Sequence, residues 1–221
     1  MPKQLDIKKF SKIIQTLIRF RSNTTTIKIG DVSWEELIWA TLVFMFGEKN
    51  VNWKSASHEK SVDIRVSING KIVKISVKGG KIKNDLLTVS SYRLTTFSNL
   101  NGKLKFIKNQ HNNFDFYLIC AKEIKNKKIT YHVIKASSNR LAPSWLVNKN
   151  NWTEGHNAYE LKKGFSFDAK IVFKMSNQLW YSIPLNYFLP QEKITSISLP
   201  LNELGKGLID FLKSKFGKTF K

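Results

Sequence analysis

The segment that decides the fold runs from Val62 to Lys78 and reads VDIRVSINGKIVKISVK. Apolar and polar residues alternate on both sides of Asn69 and Gly70. An Asn-Gly pair between two alternating runs is the strongest short-range signal for a two-residue hairpin turn. The sequence therefore predicts two antiparallel strands, at Val62–Ile68 and Lys71–Lys78.

The register of this hairpin sorts its side chains onto two faces of a sheet. With a two-residue turn, Asp63 lies directly opposite Ser76, and Lys78 is its diagonal neighbour on the same face. Any antiparallel pair with one solvated face alternates in this way, so the pattern alone leaves open whether this face is functional or merely solvated. The opposite face is apolar and is expected to be core: Val62, Ile64, Val66, Ile68, Val73, Ile75 and Val77.

The composition narrows the class of protein. The chain has 221 residues, of which 42% are hydrophobic, and 37 Lys and Arg against 16 Asp and Glu give a net charge of +21. This excess predicts a polyanionic partner. The single cysteine, Cys120, excludes a disulfide framework and a cysteine-based zinc site. The sequence has no glycine-rich phosphate loop for a nucleotide cofactor and no apolar run long enough to span a bilayer. We therefore expect a cytoplasmic protein with no membrane partner.

The segments around the hairpin predict a mixed α/β fold. Apolar residues recur at helical spacing within residues 1–20. A second helix opens with a capping-box pattern from Ser33 to Glu36 and runs to Gly47. This order predicts one domain over residues 1–221, with a central mixed β-sheet flanked by helices. The other predicted elements are strands at Asp115–Ala121, Lys128–Ile134, Ala169–Lys174 and Tyr181–Pro184, an ambiguous segment at Ser90–Phe97 and a closing helix at Asn202–Lys215.

Two short motifs of the hairpin carry a family resemblance. They read SVDI at residues 61–64 and ISVK at residues 75–78. Together they resemble the signature of the PD-(D/E)xK nuclease superfamily, which includes most type II restriction endonucleases, junction resolvases and several repair nucleases. The resemblance implies a restriction-endonuclease-like core in which Asp63 and the carbonyl of Val77 hold Mg²⁺. It also implies that Lys78 polarises the scissile phosphate or orients the attacking water.

The chain departs from this signature at Ser76, where the family carries an acidic residue. Mg²⁺ is usually bound through one or two carboxylates together with waters and phosphate oxygens, so a serine in this catalytic position leaves the site short of one negative charge. We expect Glu36 of the preceding helix to supply that charge as a catalytic and metal-binding residue, with Glu35 as the second candidate. A capping role at the start of the helix is the alternative explanation for Glu36.

The resemblance implies a Mg²⁺-dependent type II restriction endonuclease that cleaves double-stranded DNA at a short specific site as a homodimer, with no nucleotide cofactor. Residues 1–29 would form an N-terminal helix and connector, residues 30–135 the catalytic core, and residues 136–221 a part for recognition and dimerisation. Two alternatives remain: a structure-specific junction or repair nuclease, and a non-catalytic basic nucleic-acid-binding protein. The side chains expected to contact DNA are Lys74, Lys81, Arg93, Arg140, Asn177 and Gln178.

Overall fold

The computed structural model describes residues 5–53, 62–109 and 112–216. Eleven strands form one sheet in this part of the chain. Its strands are β1 Val51–Trp53, β2 Ile64–Ile68, β3 Lys71–Lys83, β4 Leu86–Arg93, β5 Phe116–Lys125, β6 Lys128–Ser137, β7 Trp152–Glu154, β8 Ala158–Leu161, β9 Asp168–Val172, β10 Gln178–Pro184 and β11 Lys193–Pro200. The helices are α1 Ile7–Thr24, α2 Asp31–Phe46, α3 Leu100–Lys108 and α4 Lys206–Phe216.

The sheet is mixed, and helices cover both of its faces. Its order is β11-β6-β5-β3-β4-β10-β9-β8-β7, with β2 beside β3 and β1 beside β2. Strands β3 and β5 are parallel, and the other pairs are antiparallel. Helices α1 and α2 pack on one face and α3 on the other, so alternate residues of β5 enter two different cores. The predicted fold class, a central mixed sheet flanked by helices, is confirmed.

The predicted hairpin forms with the predicted register. Ile68 pairs with Lys71 and Ile64 pairs with Ile75. Asn69 and Gly70 take positive φ angles of 51° and 74°, as a tight hairpin turn of this type requires. The same chemistry recurs between β5 and β6, which pair through Lys125 and Lys128 around a two-residue turn.

Several strands are longer than predicted: β3 continues to Lys83, β5 continues to Lys125, and β10 begins at Gln178. Three further details of the prediction are wrong. Val62 belongs to the core on the α3 side and not to the face of Ile64, because residues 62 and 63 precede the regular strand and break its alternation. Helix α2 begins at Asp31 with Gly30 as its N-cap, so Ser33 lies inside the helix and makes no capping box. The closing helix begins at Lys206 and not at Asn202, because a 3₁₀ turn at Leu201–Glu203 precedes it.

Strand β3 changes partner along one of its edges. On one side it pairs with β5 from Ile75 to Ile82. On the other side it pairs with β2 from Lys71 to Ile75, and with β4 only from Gly80 onward. Residues 76–79 therefore have no strand partner on that edge, and the sheet divides there. We call this opening the fork. In the described part of the chain, no helix is long and apolar enough to cross a membrane.

Candidate active site

The fork brings together the three side chains that the hairpin register predicts to be neighbours. Oδ2 of Asp63 accepts hydrogen bonds from the Ser76 hydroxyl at 3.1 Å and from the Lys78 ammonium at 3.3 Å. The backbone N–H of Val77 donates to the same oxygen at 2.6 Å. Asp63 is held in place because its own N–H donates to the carbonyl of Ile75 at 3.0 Å. A carboxylate, an ammonium and a strand edge thus converge at one point.

Burial distinguishes the three side chains. Ser76 is fully buried, whereas the side chains of Asp63 and Lys78 are 19% and 20% exposed to solvent. The ion pair is therefore partly desolvated and still reachable from solvent, as a site that must admit a phosphodiester requires. Ser76 is the inner wall of this site, and Asp63 and Lys78 are its accessible groups.

The carbonyl of Val77 is a second candidate oxygen ligand at the fork. In an extended strand the N–H and C=O of one residue face the same neighbour, and the N–H of Val77 is directed at Asp63. Its carbonyl therefore faces the unpaired edge of the fork as well. Carboxylate and carbonyl oxygens are the hard donors that Mg²⁺ prefers, so the chemistry of Asp63 and Val77 fits this ion.

Helix α2 carries its two glutamates in different environments. Glu35 is partly buried, and its Oε2 accepts a hydrogen bond from Nε1 of Trp53 at 3.2 Å. Trp53 pairs with Ile64, the residue after Asp63, so Glu35 lies near the start of β2. Glu36 is exposed. Among the described residues, no three His, Cys, Asp or Glu side chains form a group that could hold a metal ion, and the role of either glutamate stays a prediction.

A cluster of hydroxyl groups beside the fork was not expected from the sequence. The hydroxyl of Tyr117 donates to the hydroxyl of Tyr92 at 3.0 Å and lies 3.2 Å from that of Ser91. Tyr117 and Tyr92 are buried, and Tyr117 stands beside Ser76 in the β3–β5 pair. No local sequence pattern predicts this cluster, because its members lie on strands that meet only through long-range pairing.

The residues expected to contact DNA fall in several places. Arg93 is exposed and pairs with Gln178 across β4 and β10, and the carbonyl of Asn177 accepts from the N–H of Leu94. These three lie together. Lys74 is partly buried on β3.

Arg140 already has partners within the chain. It forms an ion pair with Glu192 at 3.2 Å and stacks over the ring of Tyr187. Its assignment to DNA stays a prediction, as do those of Lys74, Lys81, Arg93, Asn177 and Gln178.

A cavity of about 340 Å³ reaches the fork from the α2 side of the sheet. It is lined by Gly79, which follows Lys78, and by the cationic side chains of Lys81 and Lys122. Thr88 and Ser90 add hydroxyl groups, and no acidic side chain lines it among the residues that the structure describes. Cations and hydroxyl donors suit the phosphate groups of a nucleic acid.

No protein-family model matches the chain, and no curated protein matches it. One solved structure that it resembles is described as "Restriction endonuclease in complex with substrate DNA". The similarity covers 98% of this chain and 96% of that chain, with a TM-score of 0.45 and 15% sequence identity. At this level the likeness does not assign an activity to this chain.

Proposed function

We propose that this protein is a Mg²⁺-dependent endonuclease of the type II restriction class, which hydrolyses phosphodiester bonds in double-stranded DNA at a short specific site. The observation that carries the proposal is the arrangement at the fork. Asp63 and Lys78 meet there beside the unpaired edge of β3, within reach of solvent. The motif resemblance gives the same residues the same roles.

Each group at the fork has a chemical task in this proposal. Asp63, the Val77 carbonyl and a glutamate of α2 hold the divalent ion, which supplies Lewis-acid activation of the phosphate and the water. The ammonium of Lys78 would turn from Asp63 toward a phosphate oxygen. There it would stabilise the negative charge that develops on the phosphate during in-line attack. Water would then form the new P–O bond and lose a proton to the solvent, while the bond to the leaving oxygen breaks and that oxygen takes up a proton from the solvent. Ser76 keeps Asp63 oriented.

The charge of the chain supports nucleic acid as the substrate. The excess of 21 positive charges, mostly lysine, favours phosphate contacts and counterion release. The lysine-lined cavity at Gly79 offers such contacts on the α2 face of the sheet, opposite the face that carries Ser76 and Lys78. Site-specific and structure-specific nucleases both use such phosphate contacts, so the substrate test includes both kinds of DNA.

Cleavage by purified variants tests the site. Asp63→Asn and Lys78→Ala should abolish Mg²⁺-dependent cleavage of plasmid DNA and leave DNA binding in Ca²⁺ within a few-fold of wild type, because both groups act on charge in the transition state. Asp168→Asn and Lys128→Ala are matched controls, since each removes the same charge at an exposed position. Near-normal cleavage by Asp63→Asn or Lys78→Ala would exclude the fork as the active site.

The choice of DNA substrate distinguishes a restriction endonuclease from a structure-specific nuclease and from a non-catalytic binding protein. Discrete fragments from duplex DNA, mapped to one repeated sequence, support the restriction class. Cleavage of four-way junctions with no cleavage of intact duplex would indicate a structure-specific nuclease. Tight DNA binding by wild type with no nicking in Mg²⁺ or Mn²⁺ would indicate a non-catalytic binding protein and overturn the proposal.

A further inference from the structure

The side chain of Tyr117 crosses a neighbouring strand to reach its partners. Tyr117 belongs to β5, whereas Ser91 and Tyr92 belong to β4, and β3 lies between these two strands in the sheet. Ser76 of β3 is level with Tyr117. The phenol ring therefore passes over β3 on the face that carries Ser76 and Lys78.

A bulge in β4 makes this contact possible. Gln178 of β10 pairs with Arg93, but Trp180 pairs with Ser90, so β4 has one more residue than β10 over this stretch. A bulge breaks the alternation of side chains and re-aims them. As a result the adjacent residues Ser91 and Tyr92 both present their hydroxyls to Tyr117. The bulge lies where β4 leaves β3, at the margin of the fork.

The small size of Ser76 fits this crossing. Ser76 is fully buried. Its hydroxyl donates to Asp63, and Tyr117 is its neighbour on β5. A longer acidic side chain at this position would have to share the space that the phenol crosses. The departure from the signature at Ser76 and the crossing of Tyr117 therefore occur at neighbouring positions on one face of the sheet.

Tyr117 remains a neutral hydrogen-bonding group in this environment. Burial, with a smaller contribution from the negative charge of Asp63, raises the pKa of Tyr117 well above its usual range. The phenol thus keeps its proton and its donor bond to Tyr92 across the pH range in which nucleases are assayed. Ser76, the neighbour of Tyr117 in the β3–β5 pair, also donates its hydroxyl to Asp63 and so links the two residues.

We propose that Tyr117 is a positioning residue of the cleavage site: its hydroxyl ties β4 to β5 across β3 and so fixes the fork in which Asp63 and Lys78 lie. This inference rests on the proposed nuclease function. It assigns Tyr117 no contact with DNA or metal, and its effect passes through the placement of Lys78 and Asp63 relative to the scissile phosphate.

Tyr117→Phe tests the proposal because it removes only the hydroxyl. The single-turnover cleavage rate should fall on the order of tenfold to a hundredfold, the loss typical of a small displacement of catalytic groups. The dissociation constant for the same DNA in Ca²⁺ should stay within twofold. Tyr131→Phe is the matched control: Tyr131 is also fully buried, and its hydroxyl accepts from the N–H of Ile29 on the other face of the sheet. It should lower the melting temperature similarly and leave the cleavage rate unchanged.

Removing the partners gives an independent measurement. Ser91→Ala and Tyr92→Phe should each reproduce part of the rate loss, and Ser91→Thr, which keeps a hydroxyl, should restore it. Equal cleavage rates in wild type and Tyr117→Phe would overturn the positioning role while leaving the nuclease proposal intact. Equal losses in Tyr117→Phe and Tyr131→Phe would show a purely structural role. An inactive wild-type protein would overturn both proposals, because the fork would then have no cleavage to position.

Discussion

Asp63 receives all three of its hydrogen bonds from described residues on one carboxylate oxygen, Oδ2. No described residue donates a hydrogen bond to the other oxygen, Oδ1. Three donors on one oxygen also fix the rotation of the carboxylate. In the proposed site, Oδ1 is therefore the oxygen that would bind the metal ion.

We expect Ser76 to contribute more to stability than to the cleavage reaction. Ser76→Ala should lower the free energy of unfolding by about 1 kcal/mol, the typical loss for one buried hydrogen bond. Cleavage should fall less than tenfold, because Asp63 keeps its bonds from Val77 and Lys78. Urea denaturation and single-turnover kinetics measure the two effects. A rate loss as large as that of Asp63→Asn would show that the hydroxyl acts directly on the reaction.

The two glutamates of α2 can be separated by isosteric amides. A glutamate that completes the metal site should, when changed to glutamine, reduce Mg²⁺-dependent cleavage by about a hundredfold, a loss of roughly 2.7 kcal/mol in the transition state. The sequence favours Glu36, and the contact of Glu35 with Trp53 near the start of β2 favours Glu35. Titration with Mg²⁺ should show a raised half-saturating concentration for one variant only. Full activity of both Glu35→Gln and Glu36→Gln would exclude a ligand from α2.

At the scale of elements, Gly80 determines how β4 joins β3 after the fork. A Cβ on Gly80 would lie 2.9 Å from Cδ1 of Leu87 and 3.1 Å from the carbonyl oxygen of Thr88. The second contact is with backbone, which cannot rotate away. Residue 80 is also the first of β3 to pair with β4. A side chain there would push the two strands apart at the margin of the fork.

Gly80→Ala should therefore destabilise the protein by about 1–3 kcal/mol, the range for an overpacked site, and should also slow cleavage. The matched control is Gly102→Ala within α3, where the new Cβ would meet only ordinary contacts at 3.5–3.6 Å. Replacing a helical glycine with alanine should stabilise by about 0.5–1 kcal/mol. Chemical denaturation measures both, and a Gly80→Ala variant as stable as wild type would contradict the close packing described here.

At the scale of the whole molecule, the charge governs DNA affinity. A protein that neutralises several phosphates loses affinity steeply with salt, and we expect a loss of roughly a thousandfold between 50 and 200 mM. Fluorescence anisotropy with a labelled duplex measures the slope. Lys81→Met should reduce the slope by about one, because one phosphate contact disappears. A slope near zero for wild type would show that the excess of positive charge does not contact DNA.

Assembly is the second property of the whole molecule. Cutting both strands of a duplex with one site per chain favours a twofold dimer, and helix α4 offers an apolar surface for it. Four of its large side chains are about half exposed: Leu208, Ile209, Phe211 and Leu212. We expect sedimentation to show a dimer and Phe211→Glu to dissociate it and convert double-strand cleavage to nicking. Ile124→Glu, an equally exposed apolar position on β5, is the control. A monomeric wild type would contradict the prediction.

The sequence alone determined the parts of the fold that depend on neighbouring residues. Asn69 and Gly70 adopt the positive φ angles of a tight turn at little steric cost, so the turn fixes the register that places Asp63 against Ser76. The alternation of the strand then directs Lys78 to the same face. For the same local reason, the sequence predicts α1 and the β5–β6 hairpin.

The sequence did not predict α3. The segment from Asn99 to Gly102 is rich in asparagine and glycine, which are poor helix formers and typical of turns. In the structure Asn99 is the N-cap, with its side chain accepting from the N–H of Gly102. Packing of the apolar residues Leu100, Leu104 and Ile107 against the sheet overrides the weak local preference.

Only the tertiary structure decided the fork and the contact of Tyr117 with Ser91 and Tyr92. The fork exists because β3 pairs with β2, β4 and β5 over different stretches, and the parallel partner β5 begins more than thirty residues after β3 ends. Such pairings depend on long-range loop closure and on packing of both faces, which no local pattern encodes. A two-residue turn is fixed by its own dihedral angles, whereas the opening that makes Asp63 and Lys78 accessible requires the whole sheet.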